Sequence, residues 1–474
     1  GAEAAEPVAP RPPVGTWSWA GLAKAASAGA AANGEMEIVF NLDSKLYDGR
    51  YANLGWLQEL PDPLSKLSWD NAALLSPTTA SKLDVTRGDM VTLTVDGRSM
   101  DVGVFVLPGV ADDVVSLSVG HGRGEAGGKF ANADINNYTV PAGGFNAYAV
   151  KGAAWFAPVT VKKTTGSYFF VTTQEHGRLD PKVETPFGVV KYERRPHVME
   201  GTTEAYNAKP DFAQIKPLFP LKSLYEEPNE RGGQQWGMTI DLNTCTGCNA
   251  CTVACNAENN IQVAGKDRVA VGRELHWIRI DRYFTGDDEN EPESVFQPIA
   301  CQHCETAPCE TVCPVGATSH SPDGLNDMAY NRCIGTRYCA NNCPFKVRRF
   351  NFFNFAKENH EANELLEMQQ NPNVTVRFRG VIEKCTYCTQ RISVAKSMAK
   401  VNHKDGRVPD GAIVPACAET CPADAIVFGD INDPDSAVSK LKATPRNYAM
   451  LQDLNIHART TFLAKIRNPN PELA

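Results

Sequence analysis

Fifteen cysteines constrain this chain more than any other feature of its sequence, because all of them lie between Cys245 and Cys421. They form four runs: Cys245-Cys248-Cys251-Cys255, Cys301-Cys304-Cys309-Cys313, Cys333-Cys339-Cys343 and Cys385-Cys388 with Cys417-Cys421. Secreted disulfide frameworks are short and cysteine-dense throughout, whereas the residues before Cys245 contain no cysteine. The distribution is therefore unlike that of a disulfide scaffold, and it leaves the cellular compartment open.

The spacing of the cysteines indicates which metal they bind. Thiolates suit iron–sulfur clusters, zinc and copper(I), so the residue type alone does not decide. Residues 245–255, CTGCNACTVAC, match the bacterial ferredoxin run, and proline follows Cys313, Cys343 and Cys421 as it does in that run. Structural zinc, with two CxxC halves for each tetrahedral site, does not explain three closely spaced thiolates followed by a fourth. No C-x-x-C-H motif for covalent haem occurs. We therefore predict iron–sulfur clusters.

The third run lacks one ligand. Thr336 occupies the position where this run would carry its second cysteine, so the chain has one thiolate fewer than four complete motifs require. A threonine hydroxyl is a poor substitute for a thiolate ligand of iron. The count predicts three four-iron clusters and one three-iron cluster.

The ferredoxin run also predicts how the cysteines are shared. Its first three cysteines bind one cluster, and its fourth binds the other cluster of a pair. We therefore expect the first run to pair with the fourth, and the second with the third. The predicted sets are cluster one (Cys245, Cys248, Cys251, Cys421), cluster two (Cys255, Cys385, Cys388, Cys417), cluster three (Cys301, Cys304, Cys309, Cys343) and cluster four (Cys313, Cys333, Cys339, with three irons).

Length and composition fit a globular protein of several domains. The chain has 474 residues, 42% of them hydrophobic and 22% charged, and a length of about 150 residues per domain suggests roughly three domains. No apolar run approaches the roughly 18 residues of a membrane span, so we expect a soluble or peripheral protein. The net charge of −8 argues against nucleic acid as a partner. No targeting signal is visible at the N-terminus, and the chain is expected to be a processed or partial product.

Local patterns predict a β-rich domain before the cysteines. Strands are expected over 37–42, 90–95, 102–107 and 114–119, with Asp96-Gly97 as a hairpin turn. Ser76 and Pro77 predict the start of a short helix. Later, a strand is expected over 236–242 and helices over 435–441 and 448–466. The predicted divisions are a flexible lead-in over residues 1–35, the β-rich domain over 36–155, an extended connector over 156–235, the cysteine-rich domain over 236–432 and a helical tail over 433–474.

The cysteine-rich half resembles the four-cluster ferredoxin subunits of the complex iron–sulfur molybdoenzyme family. The resemblance covers about residues 236–432 and includes the stretches KCTYC at 384–388 and FGDINDP at 428–434. It implies a chain of clusters that passes single electrons between a catalytic or haem partner and a membrane quinone subunit. Some members, such as the nitrate reductase electron-transfer subunit, also lack the cysteine at the position of Thr336 and hold a three-iron cluster.

The first half resembles the C-terminal β-barrel of molybdopterin oxidoreductases over residues 56–150, from NAAL at 71–74 through RGDMV at 87–91 to VGHG at 119–122. The implied fold class is α+β: a β-barrel of the molybdopterin-dinucleotide-binding type followed by a double, four-cluster bacterial-ferredoxin-like domain. By analogy Gly120, His121 and Arg123 lie where a pterin would bind. The favoured interpretation is a glycine turn in a barrel that retains no molybdopterin.

Fusion of such a barrel to a four-cluster ferredoxin resembles the large subunit of bacterial alternative complex III, including GWLQELPDP at 55–63 and RELHWIRID at 273–281. The resemblance implies an electron-transfer subunit without substrate chemistry of its own. Its implied partners are an integral membrane quinol-binding subunit, c-type haem subunits and other subunits of a hetero-oligomeric complex. The implied location is the periplasmic side of the bacterial inner membrane, as a peripheral protein. The upstream molybdopterin-like portion of that family is absent from this sequence.

Two other functions stay open. One is the electron-transfer part of a molybdenum or tungsten reductase of the polysulfide reductase type, although such enzymes usually keep the barrel on their catalytic chain. The other is a scaffold whose clusters are only structural. Among single residues, His303 either donates to a cluster sulfur or, as we expect, is a partly exposed neighbour. His276 and Trp277 are expected to pack or to contact a partner rather than to bind quinone.

Overall fold

The structure is a computed structural model that describes residues 36–124, 128, 130, 143–173, 182–185, 188–191, 197–214, 232–286, 288, 290–355, 357, 364–402 and 405–468. Within these ranges the chain forms two compact units. The first unit comprises residues 36–42, 71–119 and 145–168, and the second comprises the rest. The predicted lead-in over residues 1–35 lies outside the described residues.

The strands are short and numerous. In chain order they are β1 Glu37–Asn41, β2 Leu67–Ser68, β3 Ala73–Leu75, β4 Asp89–Val95, β5 Arg98–Val106, β6 Val114–Ser118, β7 Phe156–Pro158, β8 Thr160–Ser167, β9 Val171–Thr172, β10 Lys182–Thr185, β11 Gly188–Lys191, β12 Glu200–Thr202, β13 Trp236–Asp241, β14 Arg279–Thr285, β15 Glu293–Ile299, β16 Thr318–His320, β17 Asn326–Met328, β18 Arg349–Phe350, β19 Ile382–Glu383, β20 Ile426–Asp430, β21 Asn447–Tyr448, β22 Thr460–Leu463 and β23 Lys465–Arg467.

The helices are few among the described residues. They are α1 Gly55–Glu59, α2 Pro77–Lys82, α3 Thr203–Ala208, α4 Ala250–Glu258, α5 Lys266–Ala270, α6 Tyr338–Asn342, α7 Thr389–Asn402, α8 Ala416–Glu419 and α9 Ala437–Lys442. Short 3-10 segments occur at Ala147–Ala149, Tyr330–Arg332, Glu364–Gln369 and Gln452–Leu454. Across the ranges that the structure covers, no helix is both long and apolar enough to cross a membrane.

The first unit is one seven-stranded sheet with the order β7-β1-β6-β3-β5-β4-β8. Its four predicted strands are present, and β4 and β5 form the predicted hairpin, in which Val95 pairs with Arg98. Asp96 and Gly97 both have positive φ, of 47° and 75°, which a tight two-residue turn between twisted strands requires. At the predicted helix start, the Ser76 hydroxyl accepts a hydrogen bond from the Thr79 backbone N–H and caps α2.

The edge strands of this sheet are consecutive in the chain. Only Val159 separates β7, which pairs with β1, from β8, which pairs with β4. The sheet therefore curls until one bent segment serves both of its edges, and Ile38, Val91 and Val115 fill its core without solvent exposure. This arrangement also corrects the predicted connector, because residues 156–167 belong to the sheet. The more specific assignment to the molybdopterin type remains a prediction.

The second unit is organised by a four-stranded sheet with the order β20-β13-β22-β21. The predicted strand at 236–242 is its β13, which pairs antiparallel with β20 and parallel with β22. The predicted helix over 448–466 is wrong, since β21, β22 and part of β23 lie there instead. All four residues of β22 are buried in the interior of the sheet, and such a strand lacks the apolar–polar alternation by which strands are recognised. The predicted helix at 435–441 is present as α9.

Residues 43–70 belong to the second unit and not to the sheet that they interrupt. The Trp56 indole donates to the Ile261 carbonyl at 2.7 Å. The ammonium of Lys266 and the carboxylate of Asp70 form an ion pair at 2.8 Å, and both side chains are almost completely buried. The predicted β-rich domain over 36–155 is thus divided between the two units.

Candidate iron–sulfur centres

The four cysteines predicted for cluster one line a single cavity. Cys245, Cys248, Cys251 and Cys421 surround about 340 Å³ of space free of atoms, together with apolar side chains that include Ile280 and Ile426. The loop after β13 supplies the first two cysteines and α4 supplies the third. Gly247, with a φ of 73°, lets the loop turn tightly, and a Cβ there would lie 2.4 Å from the Phe296 ring.

The cysteines predicted for cluster two surround Cys255, one turn along α4 from Cys251. Burial raises the pKa of the Cys255 thiol well above its ordinary value, and the nearby thiols of Cys385, Cys388 and Cys417 raise it further. The Asn259 amide lies 3.5 Å from the sulfur of Cys255 and 3.9 Å from that of Cys388. One short helix therefore contributes ligands to two neighbouring sets.

Cluster three has a cavity of the same kind. Cys301, Cys304, Cys309 and Cys343 line about 320 Å³ of free space, together with Phe345 and Arg348 among others. Burial raises the pKa of the Cys304 thiol well above its ordinary value, and Cys301, Cys343 and Cys309 raise it further. The second run and the last cysteine of the third run thus meet, as the ferredoxin spacing predicts.

The three cysteines predicted for cluster four also lie together. Burial raises the pKa of Cys339; Cys333 and Cys313 act in the same direction, and Arg348 opposes them. Thr336 is exposed, in the loop that joins Cys333 to α6. The set therefore has three thiols in the described residues around it, which fits the ligand count of a three-iron cluster.

The chemistry of these sets fits iron–sulfur clusters. Burial and neighbouring thiols raise the pKa of Cys251 to about 12, and burial raises that of Cys385 to about 12, so these thiols would stay protonated at neutral pH without a cation. A bound cluster displaces those protons. No three His, Cys, Asp or Glu side chains in the described ranges converge around a point as ligands of a single metal ion do. When bound, each cluster accepts and releases one electron.

The four sets follow one another in a row. Among the groups that raise the pKa of Cys417 in cluster two is Cys251 of cluster one. Among those that raise the pKa of Cys385, also in cluster two, is Cys301 of cluster three. Cysteines of clusters three and four share one small buried apolar group that includes Cys309 and Cys339. The order along the molecule is therefore one, two, three, four.

Buried cations lie beside these thiols, and sequence reasoning missed them. Arg348, 6% exposed, donates to the sulfur of Cys309 at 3.0 Å and also bonds to Cys339, so it contacts clusters three and four. Lys66, 1% exposed, lies close enough to Cys245 for their charges to interact, and its ammonium has no hydrogen-bond acceptor in the described part of the chain. No local pattern marks Lys66, which is far from Cys245 in sequence.

The histidines and tryptophan named in the sequence are buried. The expectation of a partly exposed His303 is wrong, because its side chain is fully buried between the two halves of the cysteine-rich domain. His276 and Trp277 pack in the interior as expected, and the Trp277 indole donates to Glu383 at 3.1 Å.

The residues suggested for a pterin make contacts within the chain. His121 is 1% exposed and its Nε2 lies 3.0 Å from the Asp43 carboxylate. Arg123 donates to the Gly49 carbonyl at 2.6 Å. A Cβ on Gly120 would lie 2.9 Å from the backbone nitrogen of Gly49. Because these side chains are committed to closing a turn, they do not fit a pterin-binding role.

Comparison with known proteins supports the assignment of the cysteine-rich half. Two models, each described as a 4Fe-4S dicluster domain, match residues 244–317 and 292–362. The chain is 38% identical over 233 residues to the iron–sulfur cluster-binding subunit of a menaquinone reductase from Nitratidesulfovibrio vulgaris, a match that covers 49% of this chain and 89% of that protein.

Two further relatives have similar coverage. The chain is 36% identical over 248 residues to iron–sulfur subunit 1 of an Hdr-like menaquinol oxidoreductase from Archaeoglobus fulgidus, covering 48% of this chain and 84% of that protein. It is 35% identical over 231 residues to the iron–sulfur subunit of a putative dimethyl sulfoxide reductase from Halobacterium salinarum, covering 48% and 78%. With four adjoining sets of thiols and these relatives, the chain belongs to the family of ferredoxin-like, iron–sulfur cluster-binding subunits of menaquinol- and molybdoenzyme-type oxidoreductase complexes.

Proposed function

We propose that this chain transfers single electrons from a quinol-oxidising membrane subunit toward c-type haem subunits, in a complex of the alternative complex III type. The observation that carries the proposal is the continuous row of four thiol sets in one compact unit. Such a row provides a path for electrons through a protein interior. No substrate chemistry is assigned to the chain itself.

Within this proposal cluster four has three irons and lies nearest the quinol site. Its ligands are Cys313, Cys333 and Cys339, and Thr336 leaves the fourth iron position without a thiolate. The loop beside these ligands carries Ile334 and Tyr338, which are 64% and 54% exposed. Exposed apolar side chains next to a terminal cluster suit the docking of another protein of the complex.

The first unit is proposed to be a molybdopterin-type barrel that has lost its cofactor, fused to the electron-transfer unit on one polypeptide. This fusion is the feature that favours alternative complex III over a separate reductase subunit. The proposed location is the periplasmic side of the bacterial inner membrane, where the chain would be a peripheral subunit.

A second candidate is the electron-transfer subunit of a molybdenum or tungsten reductase. It is favoured by relatives such as the putative dimethyl sulfoxide reductase component already described and a selenate reductase component from Mesobacillus selenatarsenatis, to which the chain is 32% identical. In this case the chain would serve a molybdenum- or tungsten-containing catalytic partner.

Metal analysis of the native, membrane-extracted complex distinguishes the two candidates. The chain alone requires about 15 iron atoms, the content of three four-iron clusters and one three-iron cluster. Iron above this content, with c-type haem and without molybdenum or tungsten, is expected for the quinol oxidoreductase. About one molybdenum or tungsten per chain would refute it in favour of the second candidate. Failure of a quinol analogue to reduce cluster four while the others are reduced would refute the proposed point of electron entry.

A further inference from the structure

Two aromatic side chains occupy equivalent places in two ligand loops. His303 lies between Cys301 and Cys304 of cluster three, and Tyr387 lies between Cys385 and Cys388 of cluster two. Both residues have positive φ, of 45° and 54°, and both side chains are at most 1% exposed. Each loop thus directs an aromatic ring away from solvent, into the region between the two pairs of clusters.

The two rings stack on each other. Their centroids are 3.9 Å apart and their planes are inclined by 28°. The Tyr387 hydroxyl is 2.5 Å from the hydroxyl of Thr460 in β22, and its ring packs edge-on against Phe428 in β20. The stack is therefore held by the central sheet of the second unit, where cluster two and cluster three approach each other.

The hydrogen bonds of His303 determine where its proton lies. The Asn326 backbone N–H donates to Nδ1 of His303 at 3.1 Å, so Nδ1 is the acceptor and the proton of the neutral ring is on Nε2. Nε2 is buried and has no hydrogen-bond partner among the residues that the structure describes. A buried N–H donor normally finds an acceptor. Because the loop around it carries cluster ligands, a sulfur of cluster three is the acceptor that fits.

We propose that the His303–Tyr387 stack is the junction through which the two cluster pairs exchange electrons, and that the Nε2–H of His303 donates a hydrogen bond to a sulfur of cluster three. The proposal rests on the electron-transfer role but not on the identity of the partners. A hydrogen bond to a cluster sulfur favours the reduced, more negative cluster and so raises its reduction potential. The stacked rings hold the two ligand loops at a fixed separation. Both residues are positioning residues for electron transfer.

His303→Phe tests the hydrogen bond, because phenylalanine keeps a ring for stacking and removes the N–H. In an EPR-monitored redox titration of the cluster-loaded chain, we expect the equilibrium constant for reduction of cluster three to fall about tenfold, a decrease of about 59 mV for one electron. The potentials of clusters one and two should not change. His276→Phe, which also replaces a buried histidine, is the matched control and should leave cluster three unchanged. An unchanged potential in His303→Phe with full iron content would overturn the hydrogen bond.

Tyr387→Leu tests the stack. We expect electron transfer from the reduced cluster three to cluster two to slow about tenfold after flash reduction, with the potentials of the two clusters retained. A wild-type rate would overturn the junction. If either variant loses iron, the wild-type protein with ¹⁵N-histidine decides by pulsed EPR. A ¹⁵N coupling to cluster three that persists in His320→Gln supports the bond from His303, and its absence overturns the proposal. These results do not depend on whether the partner is haem or molybdenum.

Discussion

Replacement of Arg348 tests how strongly one buried charge sets the potentials of two clusters. Its guanidinium is buried, donates to the Cys309 sulfur at 3.0 Å and bonds to Cys339 on the other side. The same group also donates to Asn326 at 2.9 Å and to Thr318 at 3.0 Å, so its position is fixed by neutral acceptors. Arg348→Gln removes the charge and retains a side chain that can donate hydrogen bonds.

The size of the effect follows from Coulomb's law. Two unit charges about 4 Å apart interact by about 4 kcal/mol at an effective dielectric constant of about 20. Because the electron added to a cluster spreads over several atoms, we take roughly half of this value, about 2 kcal/mol. With about 1.4 kcal/mol and about 59 mV for each factor of ten, the potential of cluster three should fall by roughly 90 mV. Cluster four should shift in the same direction.

Redox titration followed by EPR measures the four potentials separately. Arg348→Lys is the matched control, because it retains the charge while it loses the planar donor group, and it should recover most of the shift. Iron content and circular dichroism establish that each variant is folded and loaded. If Arg348→Gln leaves cluster three at its wild-type potential with full iron content, the charge does not act on the cluster and the reasoning is wrong.

Three further changes have distinct outcomes. Thr336→Cys should convert cluster four to a four-iron cluster, with loss of the three-iron EPR signal; persistence of that signal would disprove the assigned ligands. Burial raises the pKa of Glu59 from 4.5 to about 8, so the folded state keeps a proton that the unfolded state releases, and stability falls by about 5 kcal/mol as the pH rises through this interval. Glu59→Gln should therefore melt at a higher temperature than wild type above pH 8 and at a similar one near pH 5; parallel melting curves at all pH values would contradict this. Gly247→Ala should reduce iron in cluster one, because the new methyl group would contact the Phe296 ring at 2.4 Å, while Gly316→Ala, which has open space around it, should retain full iron content at that cluster.

Local spacing was sufficient to group the cysteines. A thiolate loop of the ferredoxin type is a short-range structure, since the ligands of one loop are separated by a few residues and curl around one cluster. The structure brings together each predicted set, including Cys421 with the first run and Cys343 with the second. Turn chemistry was equally local: Asp96-Gly97 and Ser76-Pro77 each specify their own backbone conformation.

The errors came from elements whose surroundings lie far away in sequence. The stretch 448–466 has no apolar–polar alternation because β22 is covered on both faces, so only its neighbours β13 and β21 show that it is a strand. Residues 156–167 look like a connector until their pairing with β1 and β4 is known. His303 looks like a polar residue in an exposed loop until the ring of Tyr387 is placed against it.

The sequence by itself determined the kind of metal site, the sets of ligands and the family, because thiolate spacing is a local property of the chain. Only the tertiary structure decided the electrostatic and electronic surroundings of those sites. Arg348, Lys66 and the stacked pair of His303 and Tyr387 reach the clusters from separate elements, and buried charges and rings act through space over a few ångströms. Their effect depends on distances that folding creates, and no spacing along the chain encodes those distances.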